Sequence, residues 1–194
     1  MLQTGDLVNQ AIQGDREALE ALLGRYQRPV LSFVCRMTGR QAALAEDLTQ
    51  DVFLRVVANL DRFDPGKLAG PEEEAASVRA ARAFEKWLFT IARNRVRDHW
   101  RAVRPEVPLD EETGCPAAPE QDPAGAIEEA ERGKALADAI ERLPHAQREV
   151  LTMRIHSGLS FAEIAETMKA PLGTSLARMR YALMNLKKML GTGA

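Results

Sequence analysis

Three carboxylates crowd one short stretch of the chain, Glu46, Asp47 and Asp51. Paired carboxylates can serve as general acid and base or as metal ligands. Here they sit opposite an apolar stripe, Leu44, Leu48, Val52, Val56 and Leu60. That places them on the solvent side of a helix, with no His or Cys nearby. His99, His145 and His156 are scattered, and Cys35 and Cys115 form neither a CxxC pair nor a Cys/His cluster. No Ser/His/Asp set or Gly-rich phosphate loop is present. The expectation is a non-enzyme with no metal and no cofactor, in which the acidic face is a docking surface or simply a solvated one.

The cations are more telling. Arg93, Arg97, Arg101 and Arg104 recur at intervals of 4, 4 and 3 residues, between or beside Trp87 and Trp100. Helical spacing puts the guanidiniums on one face, where they could follow a phosphate backbone while an aromatic stacks on an unpaired base. The alternative is a solvated basic face with both tryptophans in the core. Near the C-terminus, Ser175, Arg178, Tyr181 and Asn185 share the side away from a stripe of Leu176, Met179, Leu183, Leu186 and Leu190. Arg180, Lys187 and Lys188 add charge, and no Asp or Glu occurs from Ala170 onward. A helix without acids can approach phosphates unopposed, and its first turn can reach base edges in a major groove. A helical hairpin used only for packing has the same spacing.

Charge is segregated along the 194 residues. The net −2 is made of −2 over 1–83, +4 over 84–104, −9 over 105–131 and +5 over 132–194. Two basic segments therefore flank an acidic one, a pattern the total conceals. The composition, 45% hydrophobic with 5% aromatics, suits a globular all-α chain. The absence of a signal pattern and of a long apolar run predicts a cytoplasmic protein with no membrane insertion.

The elements that must carry these residues follow from periodicity and caps. A short amphipathic stretch with Leu7, Val8, Ala11 and Ile12 precedes a helix over 15–37, with Asp15 as N-cap and Pro29 as a candidate kink. A second helix covers 42–60, and Asp64-Pro65-Gly66 reads as a turn. Residues 67–82 have no clear stripe and read as loop or weak helix. A third helix covers 84–104, with Leu88, Ile91, Ala92, Val96 and Val103 on one side. Five prolines exclude a continuous helix over 105–125, which reads as a flexible acidic linker. Four helices follow, roughly 126–142, 145–156, 160–169 and 174–190. Ser160 and Glu163 form a capping box, Phe161, Ile164, Ala165 and Met168 face inward, and Thr174 is a candidate N-cap after Pro171 and Gly173. The pair joined across "MKAPLG" predicts a helix-turn-helix.

Three stretches, in order, resemble the extracytoplasmic-function (ECF) sigma factors of the sigma-70 family: "AEDLTQDVFLRVVANLDRFD" (45–64), "FEKWLFTIARNRVRDHWR" (84–101) and "LPHAQREVLTMRIHSGLSFAEIAETMKAPLGT" (143–174). The resemblance implies a region 2 helical domain over 1–104, a linker over 105–125 and a region 4 helix-turn-helix domain over 126–194. It implies that Asp47, Gln50, Asp51 and Arg55 dock on the coiled coil of the largest subunit of RNA polymerase core. It implies that Phe84, Trp87, Arg93, Asn94, Arg97, Asp98, Trp100 and Arg101 engage an unpaired −10 element. Thr174, Ser175, Arg178, Arg180, Tyr181 and Lys187 would meet duplex promoter DNA at the −35 element. The second domain would also touch the flap of the second-largest subunit, and an anti-sigma factor would regulate the chain.

Two departures from the family stand out. Where the family usually has Val-Lys-Ser after Gly-Thr, this chain has Ser175-Leu176-Ala177, and Tyr181 replaces a common basic residue. Residues 65–83 are also longer than the usual connection, which in the family includes a loop that cradles a flipped −10 base. Two other readings stay open on the residues alone: a sigma-like decoy that sequesters an anti-sigma factor, and an autonomous helix-turn-helix regulator.

Overall fold

The computed structural model describes residues 3–68, 75–103 and 127–191. Among the described residues every regular element is helical: α1 Thr4–Ile12, α2 Arg16–Met37, α3 Ala42–Asn59, α4 Pro65–Leu68, α5 Ala76–Val103, α6 Ile127–Glu141, α7 His145–Ser157, α8 Phe161–Met168 and α9 Leu172–Gly191, with a 3₁₀ turn at Leu60–Arg62. The expected linker, 105–125, lies with its prolines outside the described residues.

Local chemistry explains the boundaries. Asp15 caps α2 by accepting from the backbone N–H groups of Glu17 and Ala18 at 2.9 and 3.1 Å. Pro29 lies within α2 without dividing it into two elements. The capping box at Ser160 and Glu163 is formed in both directions. α7 ends on Gly158 and α8 on Lys169, both in the left-handed conformation that closes a helix. Asp64 accepts from the Gly66 N–H at 2.9 Å, so the expected turn there is the opening of the one-turn α4.

α5 differs from its expectation. It begins at Ala76, eight residues before the predicted start at Phe84. Its first turns lack an apolar stripe because they are covered by backbone rather than by large side chains. α1 lies across them so closely that a Cβ on Gly5 would sit 1.7 Å from the Ser77 carbonyl oxygen. α9 starts two residues early, at Leu172, so Thr174 is inside the helix and is not its N-cap.

The core of the first five helices gathers Leu22, Val30, Phe33, Val52, Phe84, Leu88 and Phe89, all fully buried. α7 lies on α2 and α5, and α8 touches α5. The same apolar cluster continues into Val150, Met153, Leu159 and Ile164 of those two helices. A second cluster, with Ile140, Leu143, Leu151, Ala182 and Leu186, holds α6, α7 and α9 together. The two helical lobes thus share an interior instead of standing apart.

Candidate nucleic-acid interface

α3 runs out at Asn59, and the 3₁₀ turn swings Phe63 back against α5. The Phe63 ring stacks on Trp87, with centroids 4.7 Å apart and planes inclined by 25°. Phe84 closes the stack from below, edge-on to Phe63 at 6.0 Å and beside Tyr26 at 5.5 Å. The Tyr26 hydroxyl donates to Glu85 at 2.8 Å, and burial raises the pKa of both groups above their ordinary values. This packing fixes Trp87 at the edge of a cleft of about 310 Å³ lined by Arg55, Asn59, Arg62, Phe63, Trp87, Ile91 and Asn94. Two guanidiniums, two carboxamides and an aromatic stack form a receptor for a phosphate and a base edge together.

The residues predicted for this function divide three ways. Trp87 and Asn94 meet in the cleft, and Arg55, expected at a protein-docking face, lies with them. Asn59, Arg62 and Phe63 join them unpredicted, although two of the three are polar or cationic residues next to a Phe at a helix end. Phe84 is fully buried, so it supports the cleft and does not touch a ligand. Trp100 donates its indole N–H to the Met37 carbonyl at 3.2 Å and packs against the core, which ties its ring down. Asp98 and Arg101 are exposed, and Arg97 is half-buried. Arg104 lies outside the described residues.

Arg93 corrects the expected exposed arginine stripe. It is only 6% exposed, and its Nε donates to Glu149 Oε1 of α7 at 2.8 Å. The neighbouring His145, also on α7, is held below the ordinary histidine range by burial, with Arg148, Arg93 and Arg97 reinforcing and Glu149 opposing.

The exposed face of α3 presents Asp47 and Gln50 as expected. Asp51 is half-buried in an ion pair with Arg95 of α5. The centre of this face was missed: Leu54 is 67% exposed and Val57 is exposed beside it. Their signal was available, since both fall off the apolar stripe onto the acidic side. A groove of about 870 Å³ between α2 and α3 adjoins this face, with Leu19, Leu23, Leu31 and Phe53 as its floor and Glu46, Asp47 and Gln50 among its lining.

In α9 the predicted faces are rotated. Ser175, Ala182 and Leu186 are buried, with Met179 half-buried, while Leu176, Leu183 and Leu190 are exposed at 44%, 52% and 42%. Small residues at 175 and 182 let α9 lie close against its neighbours, and the leucines fall to the flank. Ser175, fully buried, therefore has no surface to offer DNA in this arrangement, and Leu176 takes the outward position. Arg178 and Thr174 are half-buried. Arg180 and Lys187 are exposed, with the Arg180 guanidinium 5.2 Å from the ring of the exposed Tyr181. Asn185 instead donates to Gln147 of α7 at 2.9 Å. No group of three or more His, Cys, Asp or Glu side chains that could hold a metal occurs among the described residues, and no described helix is long and apolar enough to cross a membrane.

Comparison with known proteins places the helical fold in a family. The family described as Sigma-70 region 2 matches residues 22–71, and Sigma-70, region 4 matches residues 139–188. The ECF RNA polymerase sigma factor RpoE of Cereibacter sphaeroides is 33% identical over 174 residues, covering 90% of this chain and 87% of the relative. BldN of Streptomyces coelicolor, another ECF sigma factor, is 32% identical over 187 residues, and the alignment spans 95% of this chain but 65% of that longer protein. SigW of Bacillus subtilis is 27% identical over 192 residues, with 94% of each chain covered. Among solved structures, CnrH in complex with the cytosolic domain of CnrY shares the fold with a TM-score of 0.64, covering 98% of both chains at 24% identity. RpoE of Bartonella quintana, in complex with the anti-sigma factor NepR, does so with a TM-score of 0.57, over 90% of this chain and 98% of the other at 22% identity. Matched in both conserved regions, and at this level of identity over nearly its whole length, the chain belongs to the ECF sigma factors of the sigma-70 family.

Proposed function

We propose that this chain binds RNA polymerase core and directs it to promoters by engaging a −10 and a −35 element. The observation that carries the reading is the exposed face of α3, where Leu54 and Val57 stand unburied beside Asp47 and Gln50. An apolar centre with a polar rim is the anatomy of a protein-docking site. Polymerase docks there, with Asp51 held by Arg95 at the edge. The cleft of Arg55, Asn59, Arg62, Trp87 and Asn94 takes an unpaired −10 base and its phosphate, and Arg97, Asp98 and Arg101 continue that surface along α5. α8 and α9 meet the −35 duplex through Thr174, Arg178, Arg180, Tyr181 and Lys187. Residues 1–104 and 126–194 act as the two DNA-engaging units and 105–125 as their tether, so that weak contacts at two elements add through effective concentration. An anti-sigma factor binds and regulates the chain, a reading supported by the Bartonella quintana sigma factor, which is held in complex with one. All of this takes place in the cytoplasm.

Photo-crosslinking tests the reading. A crosslinker placed at Asn59 should capture the non-template strand of a melted promoter only when core is present. A chain that binds core but captures no promoter strand is a decoy. Equal capture of duplex without core marks an autonomous regulator.

A further inference from the structure

Arg95 lies between the docking face of α3 and the cleft beside Trp87. It stands on α5 one turn beyond Ile91, and its Nη2 pairs with Oδ2 of Asp51, which stands on α3 one turn before Arg55. Ile91 and Arg55 both line the cleft. A spacing of four residues keeps one face of each helix. The pair therefore walls off the end of the cleft opposite Arg62. The other side of Asp51 belongs to the docking face, where Asp47, Gln50 and Leu54 are exposed.

Two details set this pair apart from an ion pair that only holds α3 to α5. The Asp51 side chain is 46% exposed, so a cation brought by a partner can reach its carboxylate. The Arg95 Nε, in contrast, is buried and finds no acceptor among the described residues. An empty buried donor is a cost, and the side chain sheds it by moving to a fuller set of acceptors. Phosphate oxygens are such a set for a guanidinium, and the adjoining cleft is where a strand would bring them. We propose that Arg95 is a further contact to the −10 strand, held by Asp51 until polymerase docks and given up to the cleft when a basic side chain of polymerase takes Asp51 over. This handover rests on the readings of α3 as the docking face and of the cleft as the −10 site. One ion pair is exchanged for another at Asp51, while the cations at the cleft rise from two, Arg55 and Arg62, to three. Docking on one side of α3 thereby strengthens the grip on the strand at the other, through a single side chain.

Salt dependence reads the handover. Each phosphate contact to a single strand adds about 0.7 to the slope of log affinity against log salt concentration. A fluorescein-labelled oligo(dT) strand is titrated onto the polymerase complex of the full chain, with core alone as the baseline. Arg95→Gln should lower the slope by about 0.7, and Arg95→Lys, which keeps the charge, should restore it. Arg95→Met keeps an unbranched stem in place and should match Arg95→Gln, which guards against a folding defect. Core should also bind Arg95→Gln several-fold more tightly than wild type, because Asp51 no longer has to be released. An ion pair that is only structural would change the Tm and neither of these quantities. An unchanged slope in both Arg95→Gln and Arg95→Met, or weaker core binding by both, overturns the proposal. A crosslinker at Asn59 distinguishes this outcome from a failure of the −10 reading. Capture of the strand at Asn59 with no change of slope removes Arg95 alone from the DNA surface. With no capture at Asn59 the −10 reading fails, and the handover fails with it.

Discussion

Leu54→Ala should weaken binding to polymerase core without weakening the fold. Burying a whole Leu side chain is worth about 1.5–3 kcal/mol. Leu54 leaves 67% of its surface available to a partner, and alanine recovers only a small part of it. The loss on truncation is then about 1–2 kcal/mol, which corresponds to roughly a 5- to 30-fold increase in Kd. The chain itself should keep its Tm, because the side chain supports nothing inside. Titration of fluorescently labelled chain with core measures the first quantity and thermal unfolding the second. An unchanged Kd in both Leu54→Ala and Val57→Ala would refute the placement of the docking site on α3. A fall in Tm as large as the loss of binding would show that Leu54 is structural.

Four further outcomes follow from particular contacts. Gly5→Ala forces α1 off the Ser77 carbonyl, an overpacking cost of about 1–3 kcal/mol, read as a lower Tm. Ser175→Ala removes a buried hydroxyl that makes no hydrogen bond among the described residues, and should stabilise the fold by about 1 kcal/mol in denaturant unfolding. Leu176→Lys places a cation at an outward position of α9 and should make duplex promoter binding by the polymerase complex tighter and steeper in salt by about one unit of slope.

The fourth concerns pH. Burial holds His145 below the ordinary histidine range, so the unfolded chain binds its proton more readily than the folded one. The fold therefore loses stability as pH falls below the ordinary histidine pKa, and His156, lowered by burial and Arg36, acts in the same direction. Glu141, raised by burial, opposes them. The Tm should therefore fall on acidification by less in His145→Asn than in wild type. Equal falls in the two would remove His145 from the proton balance of the fold.

Much of the fold was legible because its signals are local. Asp15, Ser160 and Glu163 mark helix starts through hydrogen bonds to backbone three residues away or fewer, and the stripe through Leu48, Val52 and Val56 needs no partner to be read. The early start of α5 was not legible, because its first turns are covered by Gly5 and its helix and not by an apolar stripe of their own. The rotation of α9 escaped for a related reason. Ser175 and Ala182 are buried because they are small, while periodicity counts only large apolar residues. The partial outcome at the site has a different cause. Trp87 and Asn94 share a helix face, so their meeting is a matter of spacing. The burial of Arg93 is set by Glu149, which comes from α7 beyond the acidic segment, and no local pattern reports it. Arg55 shows the limit of reading one helix alone: it turns from the docking face toward Trp87 only because the chain folds back at Phe63.

The central claim is that the chain gives polymerase its promoter. Core polymerase transcribing a library of genomic fragments, with and without this chain, tests it most directly. New 5′ ends should appear at a fixed distance downstream of a shared −35 and −10 pair, and should be lost with Leu54→Asp. No chain-dependent 5′ ends, or ends that share no such pair, would contradict it.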